Sequence, residues 1–345
     1  MCNIAGYVGS RPAAPLLIDM MRRQEGLCGG FYTGIATLHE GKIYHAKLTG
    51  DLDRLLAETE AARLPGTIGI IHSRSKSGGG DPWAHPFVGE RDGVVRTAYV
   101  ANGETGWFHP RMAAYNRLAE DLLGQGYTMH SQVKAESDAY NLLSDGTAVH
   151  MSDVMSQLIL RNMERGADAP TAMGEAYGEM PGEIVGLLLS LAEPNSIAYS
   201  RISYPMALSF ADHGAYLAST ALAFPADAGT PQILPVCSCG RVTRNKVEII
   251  PFVQPPCVIA DLDMNILRGV YDVVCTLLRY GRKNMSDLVI SAKAVFPPAD
   301  VAVTDLAVYE ALRWLQQEGK IKIESVPVAG AAPGLTAPKF YVSLV

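Results

Sequence analysis

Apolar positions along this chain come in short runs broken by turn residues, a pattern that predicts an α+β protein. Residues 3–8 are apolar and close on Gly9, which predicts a strand starting almost at the amino terminus. Residues 15–24 have helical spacing. Residues 29–38 and 42–48 read as two strands joined through Glu40-Gly41. Residues 51–64 predict an amphipathic helix that Pro65-Gly66 stops. Residues 67–72 form a continuous apolar run, expected to be a buried strand, and open into a loop over 73–86 rich in Gly, Ser and Pro. A strand over 94–100 leads to Asn102-Gly103. Helical patterns follow over 110–126, 137–143 and 149–164. Four β-like runs (184–191, 196–200, 206–210 and 215–219) and an alternating stretch over 241–251 complete this part, whose apparent hairpins predict antiparallel sheets.

The pattern changes after Pro255-Pro256. Helices are expected over 266–280, 285–296 and 304–317, with Thr304 as an N-cap and Gly319 as a C-terminal stop. Alternating runs over 321–328 and 339–344 follow. Three helices and then a hairpin is the element order of a winged helix. This tail, residues 265–345, is expected to fold separately from residues 1–257.

Composition narrows the classes. With 345 residues, 48% hydrophobic and 19% charged, the chain has ample material for a core. A mean hydropathy of +0.10 fits an ordinary globular protein and excludes a disordered chain. The longest apolar run, 184–191, is far short of the roughly 18–20 residues of a membrane span. A net charge of −6 gives no electrostatic case for nucleic acid. The tail holds nine Lys/Arg against seven Asp/Glu, and no basic stripe, so protein contact is favoured there over DNA. The six cysteines do not form a secreted disulfide framework, and no signal peptide is visible, so the expected compartment is the cytoplasm. Cys237-Ser-Cys239 lacks a second ligand pair, so no metal and no cofactor are expected.

The most informative residue is Cys2. With Met1 removed, its thiol and an α-amine share one residue. An α-amine has a pKa of about 7.7–8.0, so it can take the thiol proton without a histidine. The strand beginning at residue 3 would hold that nucleophile in place. Attack on an amide builds charge on oxygen, and Asn102 and Gly103 could offer a side-chain amide and a backbone N–H to it. Arg74 could hold a substrate carboxylate as a bidentate partner, the alternative being a surface arginine. Asp138 could take an ammonium, the alternative being a helix N-cap. His72 ends a buried strand and reads as a supporting histidine.

In order and spacing these residues resemble the class II glutamine amidotransferases of the N-terminal-nucleophile type, nearest to the glutaminase domain of glucosamine-fructose-6-phosphate synthase. The family's C-G-I-V-G start stands here as Cys2-Asn3-Ile4-Ala5-Gly6. Its H-T-R-W-A-T-H-G stands as His72-Ser73-Arg74-Ser75-Lys76-Ser77-Gly78-Gly79, and its N-A-H-P-H as Trp83-Ala84-His85-Pro86-Phe87. H-N-G stands as Ala101-Asn102-Gly103, E-T-D as Glu136-Ser137-Asp138, and A-S-D as Ala218-Ser219-Thr220. Three departures are visible. Asn3 replaces a glycine, Ser75 replaces a lid tryptophan, and R-G-Y-D-S-A-G is replaced by an arginine-free segment, residues 26–34, about one residue longer.

The resemblance implies a four-layer α/β/β/α N-terminal-nucleophile hydrolase fold over residues 1–257. It implies Cys2, Asn102 and Gly103 as the catalytic set, and Arg74, Ser77, Asp138 and His85 on the substrate side. The implied reaction is hydrolysis of the L-glutamine side-chain amide through a Cys2 thioester. About 80 residues follow, too few for a sugar-isomerase domain, so the expected user of the ammonia is a synthase partner, in a homo-oligomer or hetero-complex. Two other readings stay open: a glutamine-sensing winged-helix regulator, and the amidotransferase subunit of a glutamate synthase. No catalytic candidate lies beyond residue 265, so hydrolysis is expected not to need the tail.

Overall fold

The run beginning at Asn3 becomes a strand because it is buried on both faces. Ile4 and Val8 point to one side, Ala5 and Tyr7 to the other, with the period of two that a pleated strand imposes. This computed structural model describes residues 2–134, 142–296 and 301–345. The helix expected over 137–143, with Asp138 in it, lies mostly outside the described residues.

Among the described residues the strands build two large antiparallel sheets. The first has seven strands, in the spatial order Gln232–Ile233, Ala207–Ala211, Gly214–Ala218, Asn3–Gly9, Ile68–Arg74, Tyr32–His39 and Lys42–Thr49. The strand from Asn3 thus lies inside the sheet, paired on both edges, with Asn3 opposite Ser73 and Ala5 opposite Ala218. The second has six strands, in the order Val247–Pro251, Ser238–Val242, Ile197–Arg201, Glu183–Ser190, Val94–Glu104 and Phe87–Arg91.

Three apolar cores separate four layers. Ile4, Val8, Ile70, Val100 and Leu187 fill the space between the sheets. Leu17 and Met20 of the helix Ala13–Cys28 cover the outer face of the first sheet against Tyr7 and Ile71. Leu158 and Met173, from helices Met151–Glu164 and Ala169–Glu179, cover the second sheet against Tyr99 and Leu188. The order is therefore helix, sheet, sheet, helix.

Several elements differ from the sequence reading. Helix Ala169–Glu179 and strand Phe87–Arg91 were not anticipated. Residues 241–251 are not one run but parts of two paired strands, Ser238–Val242 and Val247–Pro251. The third tail helix begins at Val301, so Thr304 lies inside it and is not its N-cap.

The tail comprises helices Met264–Arg279, Met285–Val295 and Val301–Gln317, then strands Ile321–Ala329 and Thr336–Leu344, which pair with each other. Its apolar core, with Val274, Leu288, Leu312 and Val342, also takes in Leu27 and Leu222 from the first part of the chain. At Gly26 and Gly30 the approach is close. A Cβ on Gly26 would sit 2.1 Å from the Phe340 ring, and one on Gly30 2.9 Å from Pro338. The seam between the two parts of the chain is packed. Among the described residues, no helix is long and apolar enough to cross a membrane.

Candidate active site

The first strand of one sheet and the strand Val94–Glu104 of the other bring Cys2 and Asn102 together, although 100 residues separate them. The Cys2 backbone N–H donates to Asn102 Oδ1 at 2.8 Å. This bond fixes which way the Asn102 amide faces. Its Nδ2 is left buried and without a hydrogen-bond partner, a state that folded proteins normally avoid. Cys2 is 7% exposed, and its Sγ lies 3.9 Å from Ser75 Oγ in the loop above. Next to Asn102, Gly103 has φ +154°, and a Cβ there would come within 2.2 Å of the Glu183 carbonyl oxygen. Only glycine fits that position.

Gly103 and Ser77 line one cavity of about 500 Å³. Trp83, Tyr115, His150, Met155 and Met180 form much of its remaining wall. Its size is within the range of small-molecule sites, and its lining mixes apolar and polar groups.

Arg74 occupies a different setting from a surface arginine. It is 2% exposed, and its guanidinium lies over the Tyr32 ring at 4.0 Å. It donates to the carbonyl oxygens of Gly78 and Trp83. Lys47 adds bonds to the carbonyls of Pro82 and Ala84, at 3.2 and 2.8 Å. Two cations thus tie down the loop over the site, and burial pulls the Lys47 ammonium down to about 8. Gly78, Gly79 and Gly80 all have positive φ in that loop. The tryptophan expected at position 75 is absent, but Trp83 packs beneath Gly79 and donates its indole N–H to the Ser131 carbonyl at 2.8 Å.

Three histidines pack together, His72 and His85 buried and His150 half-buried. His72 and His85 rings lie 3.9 Å apart, and His150 meets His85 edge-on at 5.3 Å. His72 donates Nε2–H to the Ala101 carbonyl at 3.0 Å, just before Asn102. Burial, aided by the Arg74 charge, pushes His72 down to about 3 and holds His150 well below the usual range. His85 is held down by burial and by its histidine neighbours. All three are neutral at physiological pH, so none is poised as an acid–base catalyst. His85 packs against His72, Phe87 and His150, and His150 is a wall residue that sequence reasoning missed.

A second network holds the segment between the first helix and the second strand. Glu25 Oε1 accepts from Ser73, Thr33 and the Leu52 N–H, and Ser73 Oγ accepts from the Gly30 N–H. Burial outweighs these donors and raises the Glu25 carboxyl to about 7. A raised acid binds its proton more tightly when folded. Its contribution is therefore present below about pH 4.5 and is lost as pH rises through about 7, a change on the order of 3 kcal/mol. His72, His85 and His150, all held below the usual range, act with the opposite sign, losing stability as pH falls below about 6.5. Comparing melting temperatures of Glu25→Gln and wild type isolates the carboxyl. The difference, variant minus wild type, is expected to grow from pH 5 to pH 8. A constant difference would show that Glu25 titrates normally.

Among the described residues no group of three or more His, Cys, Asp or Glu is placed to hold a metal ion. Cys237 Sγ instead lies 3.7 Å from the Cys257 carbonyl oxygen, next to partly buried apolar groups.

No protein-family model matches the chain. It is 26% identical over 258 residues to glutamine–fructose-6-phosphate aminotransferase (isomerizing) of Agrobacterium fabrum, covering 74% of this chain and 38% of that one. It is 27% identical over 226 residues to the Pyrococcus horikoshii protein of the same name, covering 65% and 33%. The chain thus spans little more than a third of the curated relatives it matches. Among solved structures it resembles the glutamine phosphoribosylpyrophosphate amidotransferase from B. subtilis, with TM-score 0.57, 16% identity and coverage of 77% of this chain and 52% of that one. A structure described as the allosteric regulatory enzyme of purine biosynthesis gives 0.56, also at 16% identity, over 73% and 49%. These likenesses establish the fold that the four layers describe.

Proposed function

From a chain that carries a class II glutamine amidotransferase domain, we propose that it hydrolyses the side-chain amide of L-glutamine with Cys2 as nucleophile. The observation that carries this reading is the paired use of Asn102. Its Oδ1 anchors the Cys2 nitrogen, while its Nδ2 stays buried and unpaired. An unpaired buried donor costs free energy in the resting protein, and an oxyanion at that point would repay it.

The chemistry follows from those positions. When Met1 is removed, the nitrogen held by Asn102 becomes an α-amine. It takes the thiol proton as Sγ attacks the amide carbon. Asn102 Nδ2 and the Gly103 N–H receive the charge that builds on oxygen. Collapse breaks the C–N bond, and ammonia leaves with the proton from the amine. Water then cleaves the thioester and releases glutamate. Ser77, on the wall it shares with Gly103, and Arg74 are the binding partners for the glutamine carboxylate, and Asp138 for its ammonium. His85 supports the loop above them. Arg74 must exchange loop carbonyls for the carboxylate, so binding and loop position are linked.

In this reading residues 1–257 are the glutaminase unit and 265–345 a winged-helix-like contact unit. The ammonia passes to a synthase partner, and the protein works in the cytoplasm. The test is covalent trapping by a glutamine-analogue electrophile. A single adduct is expected on Cys2, in protein whose intact mass lacks Met1. Active protein that retains Met1 would sink the mechanism.

A further inference from the structure

Two of the three departures from the family pattern, Asn3 and the segment 26–34, meet the tail at one place. Asn3 is fully buried, and its Oδ1 accepts the Cys28 N–H at 3.1 Å. Cys28 Sγ in turn lies 3.3 Å from the hydroxyl of Tyr309, a fully buried residue of the helix Val301–Gln317. Gly26 and Gly30 admit Phe340 and Pro338 of the last strand beside this contact. A polar thread therefore runs across the seam, from the tail to the residue next to Cys2. Packing alone would not call for the hydroxyl, because a phenylalanine at 309 would fill the same space with one fewer buried polar group.

We propose that Tyr309 is a positioning residue for the nucleophile: through Cys28 and Asn3 it fixes the end of the strand that carries Cys2, so that the C-terminal unit completes the catalytic site. The inference rests on the reading of Cys2 as nucleophile. Burial pushes the Cys28 thiol up to about 11, so it remains S–H and can serve as a link in the thread rather than as a second nucleophile. Catalytic geometry is sensitive to such support, since a displacement of about 1 Å can cost roughly 10²-fold.

The experiment uses the full chain and the variants Tyr309→Phe and Asn3→Ala, singly and together. Tyr309→Phe keeps the ring and removes only the hydroxyl, so the core stays filled. Three quantities are read: kcat and KM for glutamine, the rate and pH profile of Cys2 alkylation by chloroacetamide (located by peptide mass), and the melting temperature. Each single variant is expected to lower kcat and the Cys2 alkylation rate together by about tenfold, with KM within about twofold. The double variant is expected to be no worse than the singles, because both cut one thread. A merely structural tyrosine would lower the melting temperature and leave the alkylation rate and its pH profile unchanged. That outcome, or losses that multiply in the double variant, would overturn the proposal. The alkylation arm needs no turnover. If wild-type protein failed to hydrolyse glutamine, the functional reading would fall while alkylation still decided the role of Tyr309.

Discussion

Replacing Cys2 by alanine is expected to abolish glutamine hydrolysis, and replacing Asn102 by alanine to lower kcat by roughly 10²–10³ with the thiol still present. The two effects have different origins. Without Cys2 there is no atom to form the thioester, so no substrate concentration restores turnover. Without Asn102 the thiol can still attack, but one donor to the oxyanion is gone. Asn102 also holds the Cys2 nitrogen at 2.8 Å, so its loss loosens the general base as well. Because Asn102 acts mainly on the transition state, KM should move much less than kcat. Steady-state ammonia release over a range of glutamine concentrations separates these outcomes. An Asn102→Ala protein with unchanged kcat would remove Asn102 from the mechanism.

The second large effect concerns the seam. A chain ended after Ala260 is expected to be insoluble, or soluble with kcat/KM reduced about tenfold or more. Truncation uncovers Leu27 and Leu222, each buried in the tail's apolar core. Exposing a buried leucine costs about 1.5–3 kcal/mol, so the pair alone takes a sizeable share of a stability that is usually about 5–15 kcal/mol. It also removes Tyr309 from Cys28. Expression trials, a thermal melt and a glutaminase assay on the same preparation decide the matter. A truncated protein with wild-type kcat/KM would mean that the tail is dispensable, as the sequence alone had suggested.

The strands that lead from Cys2 and to Asn102 were legible in the sequence because their signals are local, whereas the meeting of the two residues, 100 positions apart, came only from the family resemblance. Met-Cys followed by an apolar run predicts a pinned terminus, and Asn102-Gly103 closes an apolar strand. The hairpin through Glu40-Gly41 was legible for the same reason, since its turn residues separate two clear runs. Helix Ala169–Glu179 was missed because its glycines and small residues give it a weak apolar stripe. Its signals were Asp168, which caps it, and Pro170 in its first turn. Strand Phe87–Arg91 was hidden behind Pro86. The misplaced N-cap at Thr304 shows the limit of a single-residue signal: the helix was already under way, and burial of Thr304 reflects packing. The bonds of Arg74 to the loop carbonyls of Gly78 and Trp83 were not legible, because they depend on a fold of that loop which composition does not specify. Tyr309 could not be found at all from sequence. It lies 281 residues from Cys28, and only the packing of the two units brings them together.

The glycines at positions 26 and 30 bear on how freely the parts of this chain can be recombined. A side chain at Gly26 would collide with the Phe340 ring, and Gly30 lies under Pro338 with φ +97°. The two halves of the chain are therefore keyed to each other. Grafting this tail onto a glutaminase that carries larger residues at these positions would force the last strand away from the first helix. The converse graft, this glutaminase with a foreign tail, would leave a groove where Phe340 sat. A working chimera must transfer residues 26–30 and the final strand as one inheritance unit, and natural substitutions at either place should be found in matched pairs.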